Sequence, residues 1–340
     1  MLAAGLGIGA ALAWTPGVAL ADPSTMLTPT EIADIDKVLV ALFDPSGAPI
    51  QVSINGMELF PTIGNTAMAT SGTGDIAIAV GDGANAVSAG PAFPFGIPLG
   101  SGIGDIAFAN GTNSTADAGL IGSANFDFVY ANGANSFANA GLGANFDVAS
   151  AVGTGSNAQV ALGDSFDTAS ANGTNSSANV GVLANYDLAS ANGTDSTVNA
   201  GVGNYDLATA FNGGNASADG ILTNAFADGV NSVANANGGL FNSAFASGGN
   251  AEANAVLGWN NLAFVFNTGS AFDQATAGGA GSLFANNDIA EIIGTGSTAT
   301  AGSDLTTAGN FDLAAAFGDL LHAIATGGNF LWDIPPLPLL

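Results

Sequence analysis

Residues 186–220, YDLASANGTDSTVNAGVGNYDLATAFNGGNASADG, alternate small apolar and polar side chains with a period of two. Such alternation predicts half-buried β-strands and fits the 3.6-residue period of a helix badly. The pattern also recurs along the chain. Aligned on a turn glycine, it repeats every 20 residues at Gly133, Gly153, Gly173, Gly193 and Gly213. Looser copies stand at Gly81, Gly111, Gly229, Gly248, Gly269 and Gly294. After the glycine come the pairs Ala138/Ala140, Ala158/Val160, Ala178/Val180 and Val198/Ala200, flanking Asn139, Gln159, Asn179 and Asn199. Before it, Val129/Ala131, Ala149/Ala151, Ala169/Ala171 and Ala189/Ala191 flank Tyr130, Ser150, Ser170 and Ser190.

Each unit therefore reads as two short strands joined by two turns, with Gly and Asn supplying the left-handed backbone that tight turns demand. The same residue type at the same place in unit after unit calls for in-register parallel stacking, which a hairpin array does not give. The expected fold is all-β, a parallel β-solenoid (β-helix) of about eleven coils with a ~20-residue repeat and short helices at both ends. At ~4.8 Å per coil the rod would be roughly 50 Å long. Its core would be thin, because a buried alanine methyl contributes only about 0.8 kcal/mol.

The pattern also divides the chain. Residues 1–21 are apolar and end in Ala19-Leu20-Ala21, which fits a signal peptide cleaved after Ala21. Residues 22–72 form an N-terminal cap, with a helix expected over 28–43 from the capping box Thr28-x-x-Glu31 and the apolar face that follows it. Residues 73–310 hold the repeats, interrupted by the Pro-rich stretch 91–100. Residues 311–340 read as a second helix over FDLAAAFGDLLHAIAT, then an apolar Pro-rich tail.

Charge narrows the function classes. The net charge is −26 and Lys37 is the only cation, so nucleic acid and anionic membrane surfaces are excluded as partners. With no Cys and the single His322, the chain offers no Ser-His-Asp or Cys-His constellation and no transition-metal cluster. Paired carboxylates leave a polysaccharide-active β-helix as an alternative reading, although the repeat already explains the Asp spacing.

The aromatic–Asp pair of the opening stretch recurs as Phe126-Asp127, Phe146-Asp147, Phe166-Asp167, Tyr186-Asp187 and Tyr205-Asp206. In a solenoid these residues form columns. Strict alternation would bury the carboxylates, where unpaired charge is costly. The expectation is instead a corner at which each Asp bonds turn N–H groups and faces solvent. Asp127, Asp147, Asp167, Asp187 and Asp206 are also the candidate ligands for a Ca²⁺ ladder, although the β-roll nonapeptide GGxGxDxUx does not occur. No other cofactor is expected.

The Ala/Gly/Asn-rich repeat and the Ala-Asp-Pro sequence after the cleavage site resemble secreted repeat proteins of mycobacteria and related actinobacteria. In composition they resemble the tails of the PE-PGRS and PPE families, without those families' N-terminal domains. A second likeness is to the Ala-x-Ala-x-Gly head repeats of trimeric autotransporter adhesins. Either resemblance implies an extracellular or cell-surface role without catalysis. The expected function is a structural spacer or multivalent adhesive surface that contacts a cell-envelope or host-surface component, or itself, with Tyr130, Phe137 and Phe128 among the first outward contacts; a further alternative is a self-assembling protein whose strand edges stack end to end into fibrils.

Overall fold

A computed structural model describes residues 49–59, 65–88, 104–118, 126–140, 145–160, 165–181, 185–229, 231–267, 269–278, 286–302, 311–325 and 332–333. All of these lie in the compact unit Ala48–Leu340. The segments 1–21, 28–43 and 91–100 lie outside the described residues.

The described strands assemble into two sheets, one 15-stranded and one 13-stranded. Strands alternate between them along the chain, so each winding contributes one strand to each sheet. From Ile76–Val80 onward every pairing is parallel. The register is the predicted one: Ala149 lies beside Ala169 and Ala171 beside Ala191 in the wider sheet, and Ala158 lies beside Ala178 in the narrower. Gly153 and Gly173 occupy neighbouring windings, with the Gly173 N–H donating to the Val152 carbonyl at 2.8 Å. The molecule is a parallel β-solenoid with a repeat of ~20 residues.

Alternation builds the core directly. Inward positions of both sheets are Ala, with Val129, Val160, Val180, Val198, Val265 and Ile292 as the larger fillers, all fully buried. Small side chains let the sheets approach closely, and the polar intervening residues face outward. At one corner the turn glycines pack backbone on backbone: a Cβ added to Gly173, at φ +141°, would collide with the Gly193 carbonyl. Buried serines tie this corner together. Ser156 Oγ donates to the Gly173 carbonyl at 2.6 Å, and Ser297 Oγ to that of Gly318 at 2.9 Å.

The first end of the rod is closed by an antiparallel hairpin, Ile50–Ile54 with Met57–Glu58, laid against Ile76–Val80. Its side chains also serve the outermost strand of the other sheet, Met68–Ser71. Gln51 Oε1 accepts the Ala69 N–H at 3.0 Å, and Ser53 Oγ accepts the Ser71 N–H at 3.1 Å. That strand already pairs in parallel with Asn85–Ser88, so winding begins ahead of residue 73.

The segment expected as a C-terminal helix is corrected by the structure. Leu313–Asp319 and His322–Ala325 are strands, paired in parallel with Ile289–Thr295 and Thr298–Ala301. Ala and Leu favour helix in isolation, but the exposed strand edges of the preceding winding offer a complete ladder of partners, and tertiary pairing overrides the weaker propensity.

Candidate functional site

The five candidate aspartates share one column. It runs along the corner where the chain turns into the 15-stranded sheet, and it is longer than the aromatic–Asp motif indicated. Asp75, Asp105, Asp127, Asp147, Asp167, Asp187, Asp206, Thr223, Asn242, Asn261, Asp288 and Asp312 succeed one another, each immediately before its strand. The missed members carried a readable signal: a polar Asp, Asn or Thr two places before an inward Ala, as in Asp75-Ile76-Ala77 and Asn261-Leu262-Ala263.

The expected outward orientation is overturned. All twelve side chains are buried, at 0–2% exposure. The physical reason is hydrogen bonding between windings. Along the column, Oδ1 of one member accepts the backbone N–H of the next: Asp127 N–H to Asp105 at 3.1 Å, Asp147 to Asp127 at 3.1 Å, Asp167 to Asp147 at 2.9 Å, and Asp187 to Asp167 and Asp206 to Asp187 at 2.7 Å. Asn261 and Asp312 N–H groups use Asn242 and Asp288 in the same way, at 3.0 Å each. The column is an acceptor rail for amides that the corner would otherwise orphan.

This arrangement holds carboxyls in a poor place for charge. Oδ2 of Asp127, Asp167 and Asp288 is buried with no hydrogen-bond partner. Desolvation by burial pushes Asp105, Asp167, Asp206 and Asp288 up to about 6, against an ordinary 3.8. Burial, with the neighbouring Asp147 and Asp105 charges adding to it, raises Asp127 to about 8. For calcium, the donor set is narrow. One oxygen of each of the five candidate carboxyls Asp127, Asp147, Asp167, Asp187 and Asp206 is already committed to an amide, and no group of three or more His, Asp or Glu side chains among the described residues is placed to hold a metal ion.

The aromatic members of the motif occupy the corner itself. Phe126, Phe146, Phe166, Tyr186 and Tyr205 have φ between +63° and +67°, a conformation costly for a bulky residue. Their rings stack at 5.0–5.2 Å and stay about half exposed. Ring faces lie against ring faces, so the ridge shows its edges to solvent.

The two outer sheet surfaces differ in chemistry. On the 13-stranded sheet, Gln159, Asn179, Asn199, Ser217, Asn235 and Asn254 form one in-register outward column. The 15-stranded sheet is mainly apolar outside, carrying Phe128, Tyr130, Val148, Leu188, Leu207 and Phe264 among others. An open groove of about 310 Å³ lies at the capped end, lined by Gln51, Glu58, Asn65 and Met68 with their neighbours. Comparison with protein-family models and with characterised proteins gives no match.

Proposed function

We propose that the chain is a secreted or cell-envelope-associated, non-enzymatic repeat protein that acts as a rigid spacer and multivalent binding surface. The observation that carries this reading is the outward amide column of the 13-stranded sheet, in which Gln159, Asn179, Asn199, Asn235 and Asn254 stack in register with Ser217 interrupting between Asn199 and Asn235. Amides donate and accept, so such a ladder suits a polar polymer, and many weak contacts sum to useful avidity. Catalysis gains no support. The carboxylates that repeat are spent inside the column, and the groove at the capped end brings a single carboxylate, Glu58. The Ala19-Leu20-Ala21 motif supports export.

The test is a pull-down of purified full-length chain on native actinobacterial envelope, with Asn179→Ala/Asn199→Ala/Asn235→Ala as comparison. Retention of the parent and clear loss in the triple variant are expected. Equal retention of both, or none of either, sinks the reading.

A further inference from the structure

We propose that two copies of the chain pair face to face, with rods antiparallel, through the outer surface of the 15-stranded sheet. This surface is separate from the amide column, so the pairing stands or falls independently of envelope binding.

The surface is large enough. Eleven strands from Ile106–Asn110 to Leu313–Asp319 lie in parallel register. At ~4.8 Å between strands and ~3.3 Å per residue over five residues, they present roughly 870 Å², against the ~800 Å² per partner of a standard stable interface. Its most open positions include Leu188, Leu207, Leu262, Ile289, Phe266 and Ile293, 37–45% exposed, beside exposed Asn172, Asn192 and Asn224. Among the outward positions of all eleven strands the charged residues are Asp228, Glu291 and Asp319, the last two on the final two strands. A chain of net charge −26 can meet its copy here with little repulsion.

The sequence of the central outward column shows what the face fits. Its order is Phe108, Tyr130, Ser150, Ser170, Ser190, Thr209, Phe226, Phe245, Phe264, Glu291, Ala315. A two-fold axis through Thr209, lying along the strand direction, reverses the rod while keeping each column over itself. It sets Phe226 against Ser190, Phe245 against Ser170, Phe264 against Ser150 and Phe108 against Ala315. Each phenylalanine ring meets a small residue, the large-into-small alternation that lets packed sheets interdigitate at ~10 Å. Tyr130 meets Glu291, a hydroxyl opposite a carboxylate.

The neighbouring column obeys the same axis. Ile106 faces Leu313, Phe128 faces Ile289, Val148 faces Leu262, Thr168 faces Ser243, Leu188 faces Asn224, and Leu207 faces its own copy. Apart from Leu188 against Asn224, apolar falls on apolar and polar on polar in this column, as suits an isologous interface, whereas in the third outward column Asn110 and Asn132 fall on Phe317 and Ile293. End-to-end growth has no comparable support, since Gln51 and Ser53 already satisfy N–H groups of the outermost strand at the capped end.

Sedimentation velocity on the full chain should show a monomer–dimer equilibrium without larger species. Leu207→Glu places two carboxylates at the axis and should raise the dissociation constant by at least about tenfold, while Gln159→Glu on the other sheet leaves it unchanged. Circular dichroism checks that each variant keeps its strands. The chain has no cysteine, so position can be read chemically. Thr209→Cys should cross-link to itself through a bismaleimide spanning about 10 Å, and Asn179→Cys should not. A parent that stays monomeric, a folded Leu207→Glu that still dimerises, or equal cross-linking at both cysteines overturns the proposal.

Discussion

Asp288 shows the chemistry of the column in one residue. Its Oδ1 holds the Asp312 N–H at 3.0 Å while Oδ2 has no partner, and desolvation raises the carboxyl to about 6. Folding therefore lifts this group, with Asp105, Asp127, Asp167 and Asp206, above the ordinary 3.8. The folded chain binds protons that the unfolded chain releases. This contribution to stability is full below about pH 4 and is lost as pH rises through 6, and through 8 for Asp127. We expect the urea midpoint to fall between pH 5 and pH 8. At about 1.4 kcal/mol per pKa unit, each group raised to about 6 accounts for at most about 3 kcal/mol. Asp288→Asn keeps an acceptor oxygen, as the adjoining Asn261 does, and should flatten the pH dependence. Asp288→Ala removes the acceptor and should cost about 1–3 kcal/mol at either pH. An Asn variant with the parent's pH slope would contradict this account. Gly173→Ala tests the backbone: its Cβ meets the Gly193 carbonyl at a left-handed φ. A loss of about 3 kcal/mol or more in denaturant melts is expected.

At the scale of the element, the aromatic ridge sets ring stacking against backbone strain. Phe166 keeps φ +67° with Phe146 and Tyr186 stacked at 5.0 Å on either side. Farther along the ridge Asn260 and Asn287 hold the same conformation with positive φ, which Asn tolerates well. Phe166→Asn should therefore lose stacking and gain backbone ease, a net cost of about 1 kcal/mol or less in thermal melts. A loss as large as that of Gly173→Ala would show that the ring stack, and not the turn, holds the corner. The strands were legible in the sequence because alternation and a fixed interval leave few architectures open. The inward Asp was not, because burying a carboxylate looks prohibitive until the next winding's N–H is known to need it. The final windings were misread for a related reason. Phe311-Asp312 repeats the aromatic–Asp pair, but the Ala- and Leu-rich residues after it favour helix until a neighbouring strand edge is supplied. The outward columns could be listed from the repeat, yet their reversal symmetry about Thr209 depends on knowing which strands are adjacent.

For the whole molecule, a core of methyl groups makes stability a sum over many windings, each contacting only its neighbours. Repulsion along the Asp column acts in a buried setting where mobile ions screen weakly. Added monovalent salt should accordingly shift the melting temperature much less than lowering the pH from 8 to 5, which buffers of matched ionic strength can compare. Calcium gives a separate check. With one oxygen of each of Asp127, Asp147, Asp167, Asp187 and Asp206 engaged by an amide, chelator and millimolar Ca²⁺ should leave the melting temperature unchanged. A rise with Ca²⁺ would show that Oδ2 atoms recruit the ion despite that engagement.

The hairpin Ile50–Glu58 gives the rod a direction of assembly. Gln51 and Ser53 meet the first rung before any repeat is complete, so this end can act as the foundation on which later turns are laid. Shortening the protein from its other terminus should leave a smaller, still cooperative column. Deleting the hairpin should strip amides of their acceptors and leave a sticky, aggregation-prone start.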